Sequence, residues 1–307
     1  DGSDEAHLVY NFALPPLVLH TFYAGDATAL SAWAADLEPP SETTAFFNFL
    51  DSHDGVGLLA VRDLLPATAV EFMVRRAQTH GGLISHRTEP DGRESPYEIN
   101  ITWFSALNRE DANEPLTLQV ARFLASRAVA LVLRGVPGIY LHSLFGTRND
   151  RAAVLRTDVK RDINRTVLDY AAVLEAIADP DSLVSRIIHG MTRLLQVRTR
   201  ERAFHPRGAQ RILPVAPEIF AVQRMSPEGD RTVLCLTNVT AHPTAGAVKL
   251  NQLGSRAPAW RDLLTGRDWL AEAEVLRIDL PPYGLLWLRP LPGEPREDAE
   301  EASSGVS

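Results

Sequence analysis

Residues 45–55 read AFFNFLDSHDG, an apolar run that ends abruptly in a polar string. A short apolar run of this kind is typical of a buried parallel strand, and polar residues directly behind it are typical of a functional loop. In parallel α/β folds, catalytic side chains gather at the carboxyl ends of the strands. The stretch therefore predicts a strand that presents His53 and Asp54 at a candidate site.

The neighbouring sequence repeats this pattern of strand, loop and helix. The apolar residues 8–22 contain two adjacent prolines, which predicts a short strand followed by a helix that begins at the prolines. Residues 116–133 have the apolar spacing of a helix and lead into VPGIYL at residues 136–141, another short buried strand. We therefore predict an α/β domain over residues 1–205, with an inserted region at about residues 56–108 that is too long for an ordinary connection.

The spacing of apolar residues changes near residue 206, where short segments separated by turns replace the helices. This change predicts a second, all-β domain over residues 206–292. The last stretch, residues 293–307, is acidic and has no aromatic residue, which predicts a disordered acidic tail.

The composition argues against two classes of partner. The chain has 39 acidic and 31 basic residues, a net charge of −8, and no basic stripe interleaved with aromatics, so we expect no nucleic acid partner. Its longest apolar stretch is broken by Arg127 and Arg134 and is shorter than the ~20 residues that cross a bilayer, so we expect no membrane association. The single Cys235 excludes an internal disulfide and favours a reducing compartment, which makes a cytoplasmic location the expectation.

The string NFLDSHDG at residues 48–55 resembles the fourth conserved region of glycoside hydrolase family 13, the α-amylase superfamily. Other segments resemble its sucrose phosphorylase-like group, which includes sucrose and glucosylglycerate phosphorylases: PYEIN at 96–100, VPGIY at 136–140, GTRND at 146–150, RDINR at 161–165, WRDLLTG at 260–266 and LPPYGLLW at 280–287. This resemblance implies that the chain is the C-terminal portion of such a protein. The expected fold is α/β plus all-β: strands six to eight of a (β/α)8 TIM barrel, followed by a small antiparallel β-sandwich.

The resemblance also implies roles for individual residues. Asp54 would stabilise the oxocarbenium-like transition state, His53 and Arg161 would bind the glucosyl unit, and Tyr97 would help to bind phosphate. Three of these residues have a structural alternative as well. For His53 it is a histidine satisfied at a strand end, for Arg161 an arginine that caps a helix or pairs with Asp162, and for Tyr97 a packing aromatic. A carboxylate suits the first role because a glycosyl transition state carries positive charge near the sugar ring.

Glu98, also placed among the substrate-binding residues, stands where sucrose phosphorylases have Gln. We expect either a nearby cation to offset its charge, with Arg87 or Arg93 as candidates near in sequence, or its carboxylate to bind acceptor hydroxyls directly. In either case Glu in place of Gln predicts an acceptor other than fructose, because acceptor specificity depends on how the contacts with one acceptor differ from those with its competitors.

The implied activity is that of a retaining α-glucosyl phosphorylase, which acts on sucrose or a related α-glucoside and transfers glucose to phosphate. Its partners would be the small-molecule sugar and inorganic phosphate as co-substrate, with no cofactor and no metal; a homodimer is left open. The nucleophilic Asp and the acid/base Glu would lie upstream of this chain, which offers no initiator Met and reads as cut from a longer reading frame. We therefore expect the chain alone to be inactive.

Asp51 is not expected to replace the missing nucleophile, because a strand end places it beside Asp54 and not across a sugar ring from it. Two alternative functions stay open. One is a hydrolase of the amylase or α-glucosidase type in the same family, since water and phosphate compete for the same glucosyl-enzyme intermediate. The other is a non-catalytic carbohydrate-binding pseudoenzyme.

Overall fold

The computed structural model describes residues 6–39 and 41–292. The predicted acidic tail, residues 293–307, lies outside the described residues. The strands are β1 (Leu8–Tyr10), β2 (Ala45–Asn48), β3 (Val56–Gly57), β4 (Leu83–Thr88), β5 (Glu94–Asn100), β6 (Val136–Pro137), β7 (Ala209–Ile212), β8 (Ile219–Met225), β9 (Thr232–Asn238), β10 (Thr244–Lys249), β11 (Ala259–Asp262), β12 (Asp268–Glu272), β13 (Val275–Leu280) and β14 (Leu285–Pro290). The helices are α1 (Leu14–Ala24), α2 (Thr28–Ala35), α3 (Ala67–Thr79), α4 (Trp103–Leu107), α5 (Leu116–Val132), α6 (Leu141–Leu144), α7 (Arg151–Thr157), α8 (Tyr170–Ala178) and α9 (Leu183–Arg200), with short 3₁₀ helices at Leu59–Val61, Lys160–Asn164, Arg202–Phe204 and Leu250–Leu253.

Strands β1, β2 and β6 form a three-stranded parallel sheet in that order. Tyr10 pairs with Phe47, and Phe47 pairs with Val136, so the carboxyl ends of the three strands meet at one edge. Helices connect the strands and pack against them, which is the predicted portion of a (β/α)8 barrel. The last strand is shorter than predicted, because the chain leaves it after Pro137 and turns into α6 at Leu141.

The first helix begins where the prolines predict it. Pro15 and Pro16 occupy its first turn, where the missing backbone N–H costs no hydrogen bond. The helix ends at Gly25, whose φ of 68° is a left-handed conformation that glycine adopts without strain. Leu14, Leu17, Val18 and Leu19 are at most 1% exposed, so this helix lies at the centre of the core.

The predicted inserted region forms a small antiparallel sheet of its own, with strand order β3-β5-β4. Val56 pairs with Ile99, and Leu83 pairs with Asn100. Helix α3 lies between β3 and β4 in the sequence and connects them. The sheet holds β5, and with it Tyr97 and Glu98, beside the loop that follows β2.

The C-terminal part is an eight-stranded antiparallel sheet with strand order β10-β13-β12-β11-β14-β9-β8-β7. One face encloses a core around the fully buried Trp260, and the other face contributes Phe220, Val222 and Trp287 to the core of the helices. This is the predicted small antiparallel domain. The boundary at residues 205 and 206 stays a prediction, since the sheet and the helices share one apolar core.

Two buried arginines tie the sheet to the helices. Arg224 on β8 is fully buried and donates to the carbonyl oxygens of Val132 and His205, both at 2.8 Å. Arg122 on α5 donates to the Tyr283 hydroxyl at 2.8 Å and to Glu114 Oε1 at 2.6 Å. Within the described ranges, none of the helices has both the length and the apolar character that a membrane span requires.

Candidate active site at the carboxyl ends of the parallel strands

The polar string behind β2 lies where the sequence predicts it, at the carboxyl edge of the parallel sheet. Asp51, Ser52, Asp54 and Gly55 line a pocket of about 550 Å³ together with Tyr97, Glu98 and Arg161. A second pocket of about 390 Å³ shares Asp51, Ser52 and Asp54 with the first. The two form one cleft above the ends of β1 and β2.

Aromatic rings form one wall of this cleft. Tyr10 stacks on Phe12 with 5.7 Å between ring centroids and meets the edges of Phe47 and Phe49 at 5.3 and 5.7 Å. Tyr10 and Phe12 are 59% and 61% exposed. Among the described residues, β1 and β6 are each paired on one side only. Three strands of a barrel without their neighbours leave such an apolar face and such open sheet edges.

Asp54 carries the exposed negative charge of the cleft. Its Oδ1 lies 2.8 Å from Arg161 Nη1, 3.5 Å from Arg165 Nη2 and 3.7 Å from His53 Nε2. The Asp54 side chain remains 41% exposed and that of His53 70% exposed, so both are accessible from the cleft. Arg161 does not pair with Asp162, which lies beside Arg165 at 3.7 Å instead.

The backbone of this loop is held by the segment at Lys160–Asn164 and the residue after it. Asn164 Nδ2 donates to the carbonyl oxygens of Ser52 and Asp54 at 3.2 and 2.9 Å, and Arg165 Nε donates to that of His53 at 2.7 Å. Three successive carbonyls are therefore hydrogen-bonded. Because Asn164 is 3% exposed, it fixes the loop from below and leaves the carboxylate of Asp54 free to face the cleft.

Glu98 is 3% exposed, and both of its oxygens have partners. Oε1 accepts from the Gly55 N–H at 2.7 Å, and the two oxygens accept from Arg161 at 3.1 to 3.3 Å. Arg161 thus offsets the charge of Glu98, which confirms the expectation of a nearby cation. The prediction that this cation is Arg87 or Arg93 is wrong. These two pair with Glu89 and Asp91, because the outer end of their hairpin carries its own carboxylates.

Asp51 begins the loop and is buried in an ion pair. Its Oδ1 accepts from Arg127 Nη2 at 2.7 Å, and its Oδ2 accepts from the Ser143 hydroxyl at 2.5 Å. The side chains of Asp51 and Arg127 are 9% and 3% exposed. The pair anchors the start of the loop to α5. The sequence signal for it was an arginine within the apolar stretch of that helix.

Tyr97 lines the larger pocket and is half-buried. Its carbonyl oxygen accepts from the Leu58 N–H at 2.8 Å, so its position is set by β3 and the residue after it. On the opposite side of the cleft, Tyr140 follows β6 and donates to the Asn164 carbonyl at 3.2 Å. Burial raises the pKa of Tyr140, which keeps its hydroxyl protonated and able to donate.

The site brings together all five residues predicted from the sequence, namely His53, Asp54, Tyr97, Glu98 and Arg161. All three carboxylates of the site pair with arginines, but the side chains of Asp51 and Glu98 are buried, whereas that of Asp54 is 41% exposed and faces the cleft. Within the described ranges, the His, Cys, Asp and Glu residues form no cluster of three or more that could hold a metal ion. The arrangement can stabilise positive charge on a ligand in the cleft.

Comparison with known proteins gives relatives over nearly the whole chain, although no protein-family model matches it. The glucosylglycerate phosphorylase of Allomeiothermus silvanus is 41% identical over 288 residues, which cover 94% of this chain and 48% of the relative. That of Spirochaeta thermophila is 41% identical over 293 residues, covering 94% and 49%. The sucrose phosphorylase of Agrobacterium vitis is 32% identical over 213 residues, covering 64% and 38%. The chain thus spans about half the length of the curated relatives it matches.

Solved structures share the fold. The sucrose 6F-phosphate phosphorylase of Thermoanaerobacter thermosaccharolyticum superposes with a TM-score of 0.62 and 23% identity, over 76% of this chain and 43% of that structure. The α-amylase of H. orenii gives 0.57 and 16% identity, over 93% and 49%. The fold is therefore that of the α-amylase class. Within this class, the chain belongs to the sucrose phosphorylase-like group of glycoside hydrolase family 13, of which it represents the C-terminal portion.

Proposed function

We propose that the chain forms one side of the glucosyl site of a retaining α-glucosyl phosphorylase, with glucosylglycerate as the donor and inorganic phosphate as the co-substrate. The observation that carries the proposal is Asp54, an exposed carboxylate held by Arg161 and a fixed loop in a pocket of about 550 Å³. The choice of glucosylglycerate is supported by relatives of that name at 41% identity.

The chemistry requires two displacements at the anomeric carbon. In the first, a carboxylate outside this chain attacks, the glycosidic C–O bond breaks, and an acid gives its proton to the departing oxygen. In the second, a phosphate oxygen attacks the same carbon and the carboxylate leaves, which yields α-glucose 1-phosphate with the original configuration. Both transition states carry positive charge on the sugar ring, and Asp54 lies in the cleft to stabilise it.

The other residues bind and orient. His53 is exposed enough to hydrogen-bond sugar hydroxyls, and Arg161 keeps one guanidinium nitrogen on Asp54 while its side chain is 39% exposed to the cleft. Tyr97 lines the same pocket, where phosphate or the acceptor would bind. We propose glycerate as the preferred acceptor in the reverse direction, which is consistent with the expectation that the acceptor is not fructose.

A phosphate-dependence assay tests the proposal. The protein expressed from the complete reading frame that contains this sequence is incubated with glucosylglycerate, with and without phosphate. We expect α-glucose 1-phosphate to form only with phosphate. Release of free glucose at the same rate in both cases would favour the hydrolase alternative, and no turnover together with sugar binding would favour the pseudoenzyme. Reverse reactions with glycerate, glycerol and fructose should rank glycerate first.

A further inference from the structure

We propose that Glu98 is a positioning residue, which holds Arg161 and the turn at Gly55 so that Asp54 faces the sugar in one fixed orientation. This inference rests on the proposed function for its kinetic consequences. On this proposal Glu98 acts through Arg161 and does not contact the acceptor directly.

The surroundings of the Glu98 carboxylate support this role. A carboxylate offers about four acceptor positions, and here donors come from two sides: the Gly55 N–H at 2.7 Å, and Arg161 through Nε at 3.1 and 3.3 Å and Nη2 at 3.2 Å. The side chain is only 4% exposed. A ligand hydroxyl would have to displace one of these charge-assisted hydrogen bonds to reach it.

Arg161 transmits the position of Glu98 to Asp54. Its Nε and Nη2 face Glu98, and its remaining nitrogen, Nη1, lies 2.8 Å from Asp54 Oδ1. A guanidinium group is planar, so fixing one edge also fixes the direction of the third nitrogen. Without Glu98, this side chain, which is 39% exposed, would be free to adopt other rotamers.

Gly55 provides the second connection. A Cβ at this position would lie 2.6 Å from both Glu98 Cγ and the Ile99 carbonyl oxygen, so only glycine allows β5 to approach the loop this closely. The hydrogen bond from the Gly55 N–H then fixes the residue directly after Asp54. Glu98 therefore holds the catalytic loop through a side chain on one side and through the backbone on the other.

Two substitutions separate these connections. Glu98→Gln keeps an oxygen for the Gly55 N–H but removes the charge that holds Arg161, whereas Glu98→Ala removes both. For the protein from the complete reading frame, we expect Glu98→Gln to lower kcat about 10- to 100-fold, since small misplacements in a site cost up to about 10²-fold. The KM for glucosylglycerate should change less than about threefold, and the ranking of acceptors should stay the same.

A double-mutant cycle tests the route through Arg161. In the Arg161→Ala background, Glu98→Gln should change kcat by less than about threefold, because Arg161 is no longer there to be misplaced. Independent, multiplicative losses would overturn the proposal. So would a change in acceptor ranking with kcat retained for the best acceptor, because that result indicates direct contact. Glu114→Gln is a matched control, since it weakens an ion pair with Arg122 away from the cleft.

Amide hydrogen exchange at Gly55 gives a readout that does not depend on activity. We expect protection at Gly55 in the wild type and in Glu98→Gln, and exchange at least tenfold faster in Glu98→Ala, measured below the melting transition of each variant. Equal exchange in all three would overturn the backbone part of the proposal. If the wild type shows no phosphate-dependent turnover, the proposed function fails, and the exchange data still decide whether Glu98 holds the loop.

Discussion

Replacing Asp54 by Asn is the substitution that tests the candidate site most directly. Asn has nearly the same size and can still accept a hydrogen bond from Arg161, but it lacks the negative charge that stabilises a cationic sugar ring. We expect the protein from the complete reading frame to keep its melting temperature within about 2 °C and to lose at least 10²-fold in kcat.

The size of this loss follows from the environment of Asp54. Two unit charges about 4 Å apart interact by about 4 kcal/mol at an effective dielectric constant of about 20. Asp54 is 41% exposed and shares its charge with Arg161 and Arg165, so we discount the interaction for solvent screening. About 3 kcal/mol then remains, which corresponds to about 10²-fold in rate.

The assay is initial-rate phosphorolysis of glucosylglycerate at saturating phosphate, with the melting temperature measured on the same preparations. Asp268→Asn is a suitable control, because it removes a carboxylate that pairs with Arg261 on the C-terminal sheet, away from the cleft. A loss of less than tenfold for Asp54→Asn, with the fold intact, would show that Asp54 serves structure and not the transition state.

Three other predictions concern the chain as a whole. The chain on its own should turn over neither sucrose nor glucosylglycerate, and turnover that survives further purification would contradict the assignment of the nucleophile and acid to sequence outside it. Burial lowers the pKa of His80 below its usual 6.5, so the unfolded state takes up a proton at a higher pH than the folded state does. The free energy of unfolding should therefore fall as the pH drops below about 6.5. Urea titrations at pH 7 and 5, with His80→Gln as comparison, measure this. Arg122→Ala should lower the free energy of unfolding by about 2–3 kcal/mol in the same titrations, because it leaves Glu114 and the Tyr283 hydroxyl without their partner. A change below about 0.5 kcal/mol would mean that this contact does not join the sheet to the helices.

The sequence predicted the parallel strands and the position of the loop, because an apolar run that stops at a polar string is a local signal. The start of α1 was equally local, since it depends on two prolines. The last parallel strand was predicted too long, because apolar residues after Pro137 continue into the turn before α6.

The partners of the site residues could not be predicted in the same way. Glu98 was expected to pair with an arginine nearby in sequence, but its partner Arg161 is 63 positions away. The ion pair between Asp51 and Arg127 spans 76 positions. Such contacts depend on how the loop after β2, strand β5 and the Lys160–Asn164 segment meet in space, and no spacing rule along the chain contains that information.

The small sheet of β3, β4 and β5 enters and leaves the barrel at adjacent points, since Val56 pairs with Ile99. Its two ends are therefore close together, and joining them across a different insert costs little loop-closure entropy. The region can be treated as a cassette, exchanged between relatives at Gly55 and Asn100, provided that the new insert keeps the carboxylate that holds Gly55 and Arg161. Such an exchange carries Tyr97 with it, so the lining of the larger pocket can be altered while the loop that presents Asp54 keeps its own sequence.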